Sequence, residues 1–357
     1  MRISPDDRAR RVGARLEALK AEFGNYEDGV RVISSFQQWI QHMWGPDGAV
    51  APTLEDFDRF PQCNGLRPDF LARFRTGYRL CGEMMRTFRS GIASSKDVGQ
   101  IVAYTRYLRV TSESDACADV LLLVHTHTDD AAAAAVLSAR TDKAPENRPD
   151  GPVVIVGYMH DRRANGEWYD LKWRDQRGNS RFSEPNVAPA DGEADLNSLI
   201  VDAPHCAIRV DLLALDISSS NPLINDEPPP LYTAITLVFP ALNELLTEDE
   251  RDELGAVGRL EKTVSRDAIM STPCVSAIDP PAGYVQRALD FMVEIRWAQP
   301  IRGSEPPEYT VILNVKRLKK DLKDMLGERA ARTDVAKLLR QRRRAQRRAT
   351  RQQLKLL

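Results

Sequence analysis

The hydrophobic pattern of this 357-residue chain changes near residue 95, and that change restricts the fold it can adopt. Before that point, apolar side chains such as Val12, Leu16 and Leu19 recur every three or four residues, as on one face of an α-helix. After it, short apolar runs such as Val120–Val124 alternate with polar, Pro-rich segments, which is typical of buried strands and loops. Helices followed by strands, without regular alternation, predict an α+β fold rather than a doubly wound sheet.

Residues 1–95 are predicted to form a helical N-terminal region. The first helix begins at Ser4-Pro5 and ends at Gly24, where a glycine interrupts the apolar spacing. Two further stripes at helical spacing follow it: Ile33, Phe36, Ile40 and Met43, and then Phe70, Phe74, Cys81, Met84 and Phe88. The last stripe predicts a helix over residues 70–91.

Residues 96–328 are predicted to form the sheet core. Its predicted strands are residues 102–110, Val120–Val124, Val153–Val156, Trp168–Trp173, Ala207–Ile217, Tyr232–Phe239, Phe291–Trp297 and Tyr309–Val315. A polar turn at 161–166 predicts an antiparallel hairpin, and helical pieces are expected at 131–140 and 241–262. Polar segments at 141–152, 183–198, 218–230 and 299–308 are expected to be long loops. The pattern predicts a mixed, mostly antiparallel sheet.

The last segment, residues 329–357, differs from the rest of the chain in charge. It holds eleven Lys and Arg residues and a single acid, Asp334, for a local charge of +10. Because the whole chain sums to −1, residues 1–328 carry −11. From Asp334 onwards the segment contains no Gly or Pro and is rich in good helix formers, so a basic C-terminal helix is predicted.

This basic helix predicts a nucleic-acid partner, because cations that neutralise phosphates release condensed counterions. Arginine suits phosphate better than lysine, since its planar head donates several hydrogen bonds. The seven arginines expected to bind are Arg340, Arg342, Arg343, Arg344, Arg347, Arg348 and Arg351. The segment has no aromatic residue, so binding should follow the backbone with little base preference, and RNA and DNA are not distinguished.

Four alternatives to this interpretation remain open. The segment can be a solvated helix, a contact with an anionic membrane surface, or a tail that covers the acidic body of its own chain. An acidic body with a cationic arm is also the organisation of a structural or packaging protein that condenses a genome.

The stretch VHTHTDD, residues 124–130, is the sharpest local motif. Two histidines two residues apart, followed by acids, can converge on one metal ion, and imidazole with carboxylate suits zinc. The stretch resembles the HxHxDH signature of metallo-β-lactamase-like hydrolases, with aspartate in place of the final histidine. The resemblance implies a metal-dependent hydrolase in which His125, His127 and Asp129 take ligand or base positions. His205 would supply a later ligand.

The same stretch is similar to part of the metal-site motif of JAB-type deubiquitinase-like peptidases. This resemblance implies that Ser138 and Asp142 are the remaining residues of the site. A structural interpretation needs no metal. The histidines would end a strand, and Asp129 or Asp130 would begin a helix through Ala131–Leu137.

A second acidic pattern lies on the predicted hairpin. Asp150 precedes the strand Val153–Val156, and Asp170-Leu171-Lys172 lies on the next strand. This arrangement resembles the PD-(D/E)xK nucleases. The resemblance implies that Asp150 and Asp170 hold Mg²⁺ while Lys172 positions the attacking water. A plain amphipathic hairpin accounts for the same residues.

Other classes of protein are not expected. The chain has no Gly-rich phosphate loop, no GxSxG elbow and no HExxH motif. Its longest apolar runs are far too short for a membrane span, its start lacks a signal pattern, and its five cysteines are widely spaced. We therefore expect an intracellular, cytoplasmic protein that associates with nucleic acid. Catalysis is unproven, and a metal-dependent hydrolase or nuclease is the enzymatic alternative.

Overall fold

The computed structural model describes the backbone of residues 4–45, 54–59, 61, 63, 65–75, 77–85, 95–111, 118–125, 153–163, 166–173, 206–210, 222–314 and 322–355. These residues divide into two compact units. The terminal unit comprises Met1–Asp28 and Glu227–Leu357, and the central unit comprises Gly29–Asp226. Helix α1, Pro5–Trp44, contributes to both. Helices and strands occur together throughout the described residues, so the α+β prediction is confirmed.

The central unit is built on a sheet of seven described strands. Its elements after α1 are β1 (Leu54–Asp58), β2 (Phe70–Phe74), β3 (Arg79–Met85), α2 (Ser95–Thr111), β4 (Ala118–His125), β5 (Val153–Arg163), β6 (Gly166–Trp173) and β7 (Cys206–Val210). The strands lie side by side in chain order. The β3–β4 and β4–β5 pairs are parallel and the other neighbouring pairs are antiparallel. The sheet is therefore mixed and mostly antiparallel, as predicted.

Helices cover both faces of the first strands of this sheet. Tyr104 and Leu108 of α2 pack in one core cluster with Cys81 of β3. On β3 the next residue, Gly82, is paired with Phe70, whose ring lies 5.4 Å from that of Phe36 in α1. Neighbouring residues of a strand point to opposite faces, so α1 and α2 lie on opposite sides of the sheet.

The terminal unit contains the first part of α1 and a small sheet with helices. Its later elements are α3 (Pro230–Thr233), a π-helical segment (Ala234–Val238), α4 (Phe239–Glu244), α5 (Glu248–Val257), β8 (Arg259–Ser265), α6 (Arg266–Met270), α7 (Pro273–Ser276), α8 (Ala282–Glu294), β9 (Ala298–Pro300), β10 (Glu308–Asn314) and α9 (Leu322–Lys355). The three strands lie in the order β8-β10-β9 and pair antiparallel.

The predicted helix over residues 70–91 is wrong, because strands β2 and β3 occupy residues 70–74 and 79–85. Gly77, with a φ of +86°, lies in the turn between them, and its N–H donates to the carbonyl of Phe74. Both faces of these strands are buried, so their apolar residues do not alternate with polar ones. Their match to helical spacing was therefore accidental.

Two other predicted strands lie wholly or partly in helices, and one helix extends further than predicted. The predicted strand at 102–110 is helix α2, whose buried Ile101, Tyr104, Thr105 and Leu108 follow helical spacing. The predicted strand Phe291–Trp297 begins inside helix α8. In α1, Gly24 does not end the helix, and the next turns bury Tyr26 and Val30.

The predicted strand Tyr232–Phe239 is also helical, with a π-helical segment at its centre. The run has many β-branched residues and is buried on several sides, a combination that resembles a buried strand. The hydroxyl of Thr236 donates to the carbonyl of Tyr232 one turn earlier. Pro240 follows in α4, and the wider π turn accommodates a proline that lacks an N–H and crowds the preceding turn.

The strands predicted at Val120–Val124, Val153–Val156 and Trp168–Trp173 are confirmed as parts of β4, β5 and β6, and β5 and β6 form the predicted hairpin. The strand Ala207–Ile217 is confirmed as far as Val210, and Tyr309–Val315 as far as Asn314. The helical piece at 241–262 is α4 and α5 followed by β8. The helix at 131–140 and the loops at 141–152 and 183–198 lie outside the described residues.

The predicted basic C-terminal helix is confirmed as α9, which begins at Leu322, well before Asp334. In the part of the chain that the structure describes, no helix is long and apolar enough to cross a membrane.

Candidate nucleic-acid interface

The first half of α9 is packed against the start of α1. Leu326, Ala330, Ala331 and Val335 are buried. The two helices run antiparallel, since Lys20 Nζ lies 2.6 Å from Asp324 while Arg15 Nε lies 2.6 Å from Asp334. A Cβ added to Gly327 would lie only 3.0 Å from Leu16, so a glycine here permits the close approach of the helices.

Two further contacts fix α9 within the terminal unit. Arg329 donates through Nη2 to the carbonyl of Arg296 at 2.9 Å, and its guanidinium carbon lies 5.6 Å from the centre of the Trp297 ring. Lys337 Nζ lies 2.7 Å from a carboxylate oxygen of Glu294 at the end of α8. The anchored part of α9 therefore reaches at least to Lys337.

Beyond Leu339 the character of α9 changes. Its described side chains there, Arg340, Gln341, Arg344 and Ala345, are exposed. Among the described residues, neither Arg340 nor Arg344 forms an ion pair. The helix thus passes from a packed half to a half whose arginines face solvent wherever their side chains are described.

The helical backbone brings most of the predicted arginines to one side of α9. At about 100° per residue, six cations fall within an arc of about 100°, on a line about 22 Å long. These residues, called here the cationic face, are Arg340, Arg344, Arg347, Arg348, Arg351 and Lys355. Of the other predicted arginines, Arg343 falls beside the edge of this arc and Arg342 on the other side of the helix.

The predicted metal site can be located only in part. His125 is the last residue of β4, and its ring packs edge-on against that of Tyr158, with 5.5 Å between centroids. His127, Asp129 and His205 lie outside the described residues. Within the described residues, no group of three or more His, Cys, Asp or Glu residues could hold a metal ion. The metal-dependent hydrolase stays a prediction.

The predicted nuclease residues are also incomplete. Asp170 and Lys172 lie on β6, where their register partners on β5 are Met159 and Gly157. Asp150 lies outside the described residues. The arrangement of the three residues, and with it the magnesium-dependent nuclease, stays a prediction.

No sequence motif indicates a partly buried polar cluster that the structure places between β3 and α2. Glu83 accepts hydrogen bonds from Gln100 at 2.8 Å and from the Tyr104 hydroxyl at 3.0 Å. Burial, and then the negative charge of Asp69, raise the pKa of Glu83 well above its ordinary value, against the opposing effect of the Tyr104 hydrogen bond. The only sign in the sequence is an acid within an otherwise apolar strand.

Comparisons of this chain with models of known protein families, with curated proteins and with solved structures found no match. The interpretation of α9 therefore depends on its own geometry and charge.

Proposed function

We propose that the protein binds the phosphate backbone of nucleic acid through the cationic face of α9. One observation carries this proposal: a single helix is packed in its first half and presents exposed, unpaired arginines in the described part of its second half. A helix that is held at one end keeps its cations in line before binding. Phosphate contacts then require ordering of side chains only, and not of the backbone.

The chemistry of the cationic face fits phosphate rather than base recognition. Arginine forms paired hydrogen bonds with phosphate oxygens, and the segment has no aromatic residue for stacking. A line of about 22 Å corresponds to about six base pairs of a duplex at about 3.4 Å each. Six phosphate contacts predict a slope of about −5 for log affinity against log salt concentration.

The test measures binding of a labelled random-sequence DNA duplex of about 20 base pairs, and of its RNA equivalent, by fluorescence anisotropy over a salt series. The test variant is Arg344→Gln/Arg348→Gln/Arg351→Gln. The control variant, Arg251→Gln/Arg259→Gln/Arg302→Gln, removes the same charge from exposed positions elsewhere in the terminal unit.

We expect the test variant to bind at least about tenfold more weakly, with a salt slope reduced by about 3, while the control variant changes far less. An equal loss in both variants would mean that only net charge matters. Unchanged binding in the test variant would exclude the cationic face as the interface.

A further inference from the structure

A surface groove of about 570 Å³ lies between α1 and the packed half of α9. This α1/α9 groove has an apolar floor formed by Ala14, Val335, Leu338 and Leu339. Arg11 also lines it. The groove adjoins the cationic face in sequence but differs from it in chemistry, because its floor presents hydrocarbon and not charge.

The floor of the groove exposes apolar surface that a partner would bury. Leu338 is 51% exposed, and it is one of few large apolar side chains that are exposed among the described residues. Covering such a side chain stabilises a complex by about 25 cal/mol for each Å² of apolar area removed from water. The exposure of Leu338 beside an apolar floor therefore points to an occupant.

The shape of the groove favours a helix as that occupant. Val335, Leu338 and Leu339 follow i, i+3, i+4 spacing on α9, and Ala14 faces them from the antiparallel α1. Two antiparallel helices with an open apolar seam present the kind of surface that a third helix covers in a three-helix bundle. A third helix can place its own apolar residues, at the same spacing, into the seam.

The charges around the groove favour an acidic helix. Asp334, the one carboxylate among the described lining residues, already pairs with Arg15, and Lys337 pairs with Glu294. Among the described residues that line the groove, the cations Arg11, Arg15 and Lys337 outnumber the carboxylate, and Arg11 forms no ion pair. We infer that the α1/α9 groove binds an acidic amphipathic helix of a partner protein. Nucleic acid is disfavoured as the occupant, because its contacts are chiefly with phosphate and sugar and leave an apolar floor uncovered.

The probe is a labelled synthetic helix of about 20 residues with leucines at i, i+3, i+4 and i+7 and glutamates on its flanks. Two control peptides accompany it, one with the same composition in scrambled order and one with lysine in place of glutamate. In titrations with the full chain, we expect saturable binding of the acidic amphipathic peptide and at least about tenfold weaker binding of both controls.

The matched variants are Leu338→Glu, which places a charge on the floor, and Val257→Glu, which alters an exposed apolar residue at the end of α5. Leu338→Glu should weaken peptide binding at least about tenfold without lowering the unfolding temperature, and Val257→Glu should not weaken it. Equal binding of the scrambled peptide, or unchanged binding by Leu338→Glu, would overturn the proposal. If the free chain formed a dimer that Leu338→Glu dissociates, the occupant of the groove would be a second copy of this chain, and the proposal would be overturned.

Discussion

Glu83 is a carboxylate that the fold of the central unit shields in part from water. Gln100 and the hydroxyl of Tyr104 donate hydrogen bonds to it. The charges that act on it, from Asp69 and Asp226, are also negative. Burial and these charges favour the neutral acid, so the pKa of Glu83 is raised in the folded protein.

The raised pKa predicts how stability depends on pH. A folded-state pKa above the unfolded value gives a stabilising contribution that is complete below the ordinary glutamate pKa of about 4.3 and is lost as pH rises through the raised value. Glu83→Gln removes this dependence. The variant should therefore gain free energy of unfolding relative to wild type as pH rises above about 4.3, in denaturant titrations at several pH values.

A control residue with the opposite sign is available in the terminal unit. The hydrogen bond from Lys262 is the main cause that lowers the pKa of Glu250, so its contribution is present above the ordinary glutamate pKa and is lost as pH falls. Glu250→Gln should therefore change the pH profile in the opposite direction. If the free energy of unfolding changed with pH in the same way in wild type and in Glu83→Gln, the pKa of Glu83 would not be raised in the folded protein.

At the scale of elements, β2 and β3 are joined by an unusually close side-chain contact. Phe70 and Gly82 are register partners, and a Cβ at position 82 would overlap the Phe70 ring. That ring is fully buried, and it stacks on Phe57 with 4.9 Å between centroids. A strand glycine is required here because an aromatic ring takes the place of its side chain.

We expect Gly82→Ala to destabilise the protein by about 2–3 kcal/mol, because the new methyl group must displace a buried ring. The Gly82→Ala/Phe70→Leu double variant should lose less than the sum of the two single changes. Gly255→Ala is the control, since its site in α5 is open and alanine favours a helix by up to about 1 kcal/mol. Urea unfolding gives the free energy of unfolding of all four variants. A Gly82→Ala protein as stable as wild type would contradict the close contact between Gly82 and the Phe70 ring.

The elements differ in how far their sequences predict them. Strand β4 was predicted because Val120–Val124 is a short apolar run, and α9 because good helix formers continue without Gly or Pro. Strands β2 and β3 were missed because helices bury both of their faces, which removes the alternation that marks a strand. The segment around Ala234–Val238 was missed for a related reason, since a helix buried on several sides resembles a strand of β-branched residues.

Of the candidate site, the sequence predicts only the positive charges and not their arrangement. The arginines of the cationic face are evident from composition, but their alignment depends on an unbroken helix to Lys355. The α1/α9 groove could not be predicted, because it requires that Arg15 meet Asp334, 319 residues later in the chain. No local pattern encodes a contact between two amphipathic helices at such a separation.

At the scale of the whole molecule, the two ends of the chain build one unit. The start of α1 and the packed half of α9 are joined by two ion pairs and by the close approach at Gly327. The segment of charge +10 that begins at residue 329 therefore has two parts. Its first part completes the terminal unit, and its second part, after Leu339, carries the cationic face.

Two truncations separate these parts. Residues 1–341 keep every described buried side chain of α9, so this protein should unfold at the temperature of the full chain while its nucleic-acid binding is largely lost. Residues 1–328 lose Ala330, Ala331 and Val335 together with Asp334, which pairs with Arg15. This shorter protein should be destabilised by about 3 kcal/mol or more, since it leaves apolar surface of α1 uncovered.

Circular dichroism melts and anisotropy titrations on the same samples distinguish the two effects. If residues 1–328 unfolded at the temperature of the full chain, the packed half of α9 would not be a structural element of the terminal unit. If residues 1–341 retained full binding, the interface would lie outside the cationic face. A comparison of the full chain with residues 1–328 alone would confuse loss of the fold with loss of the interface, which is why the boundary belongs after Gln341.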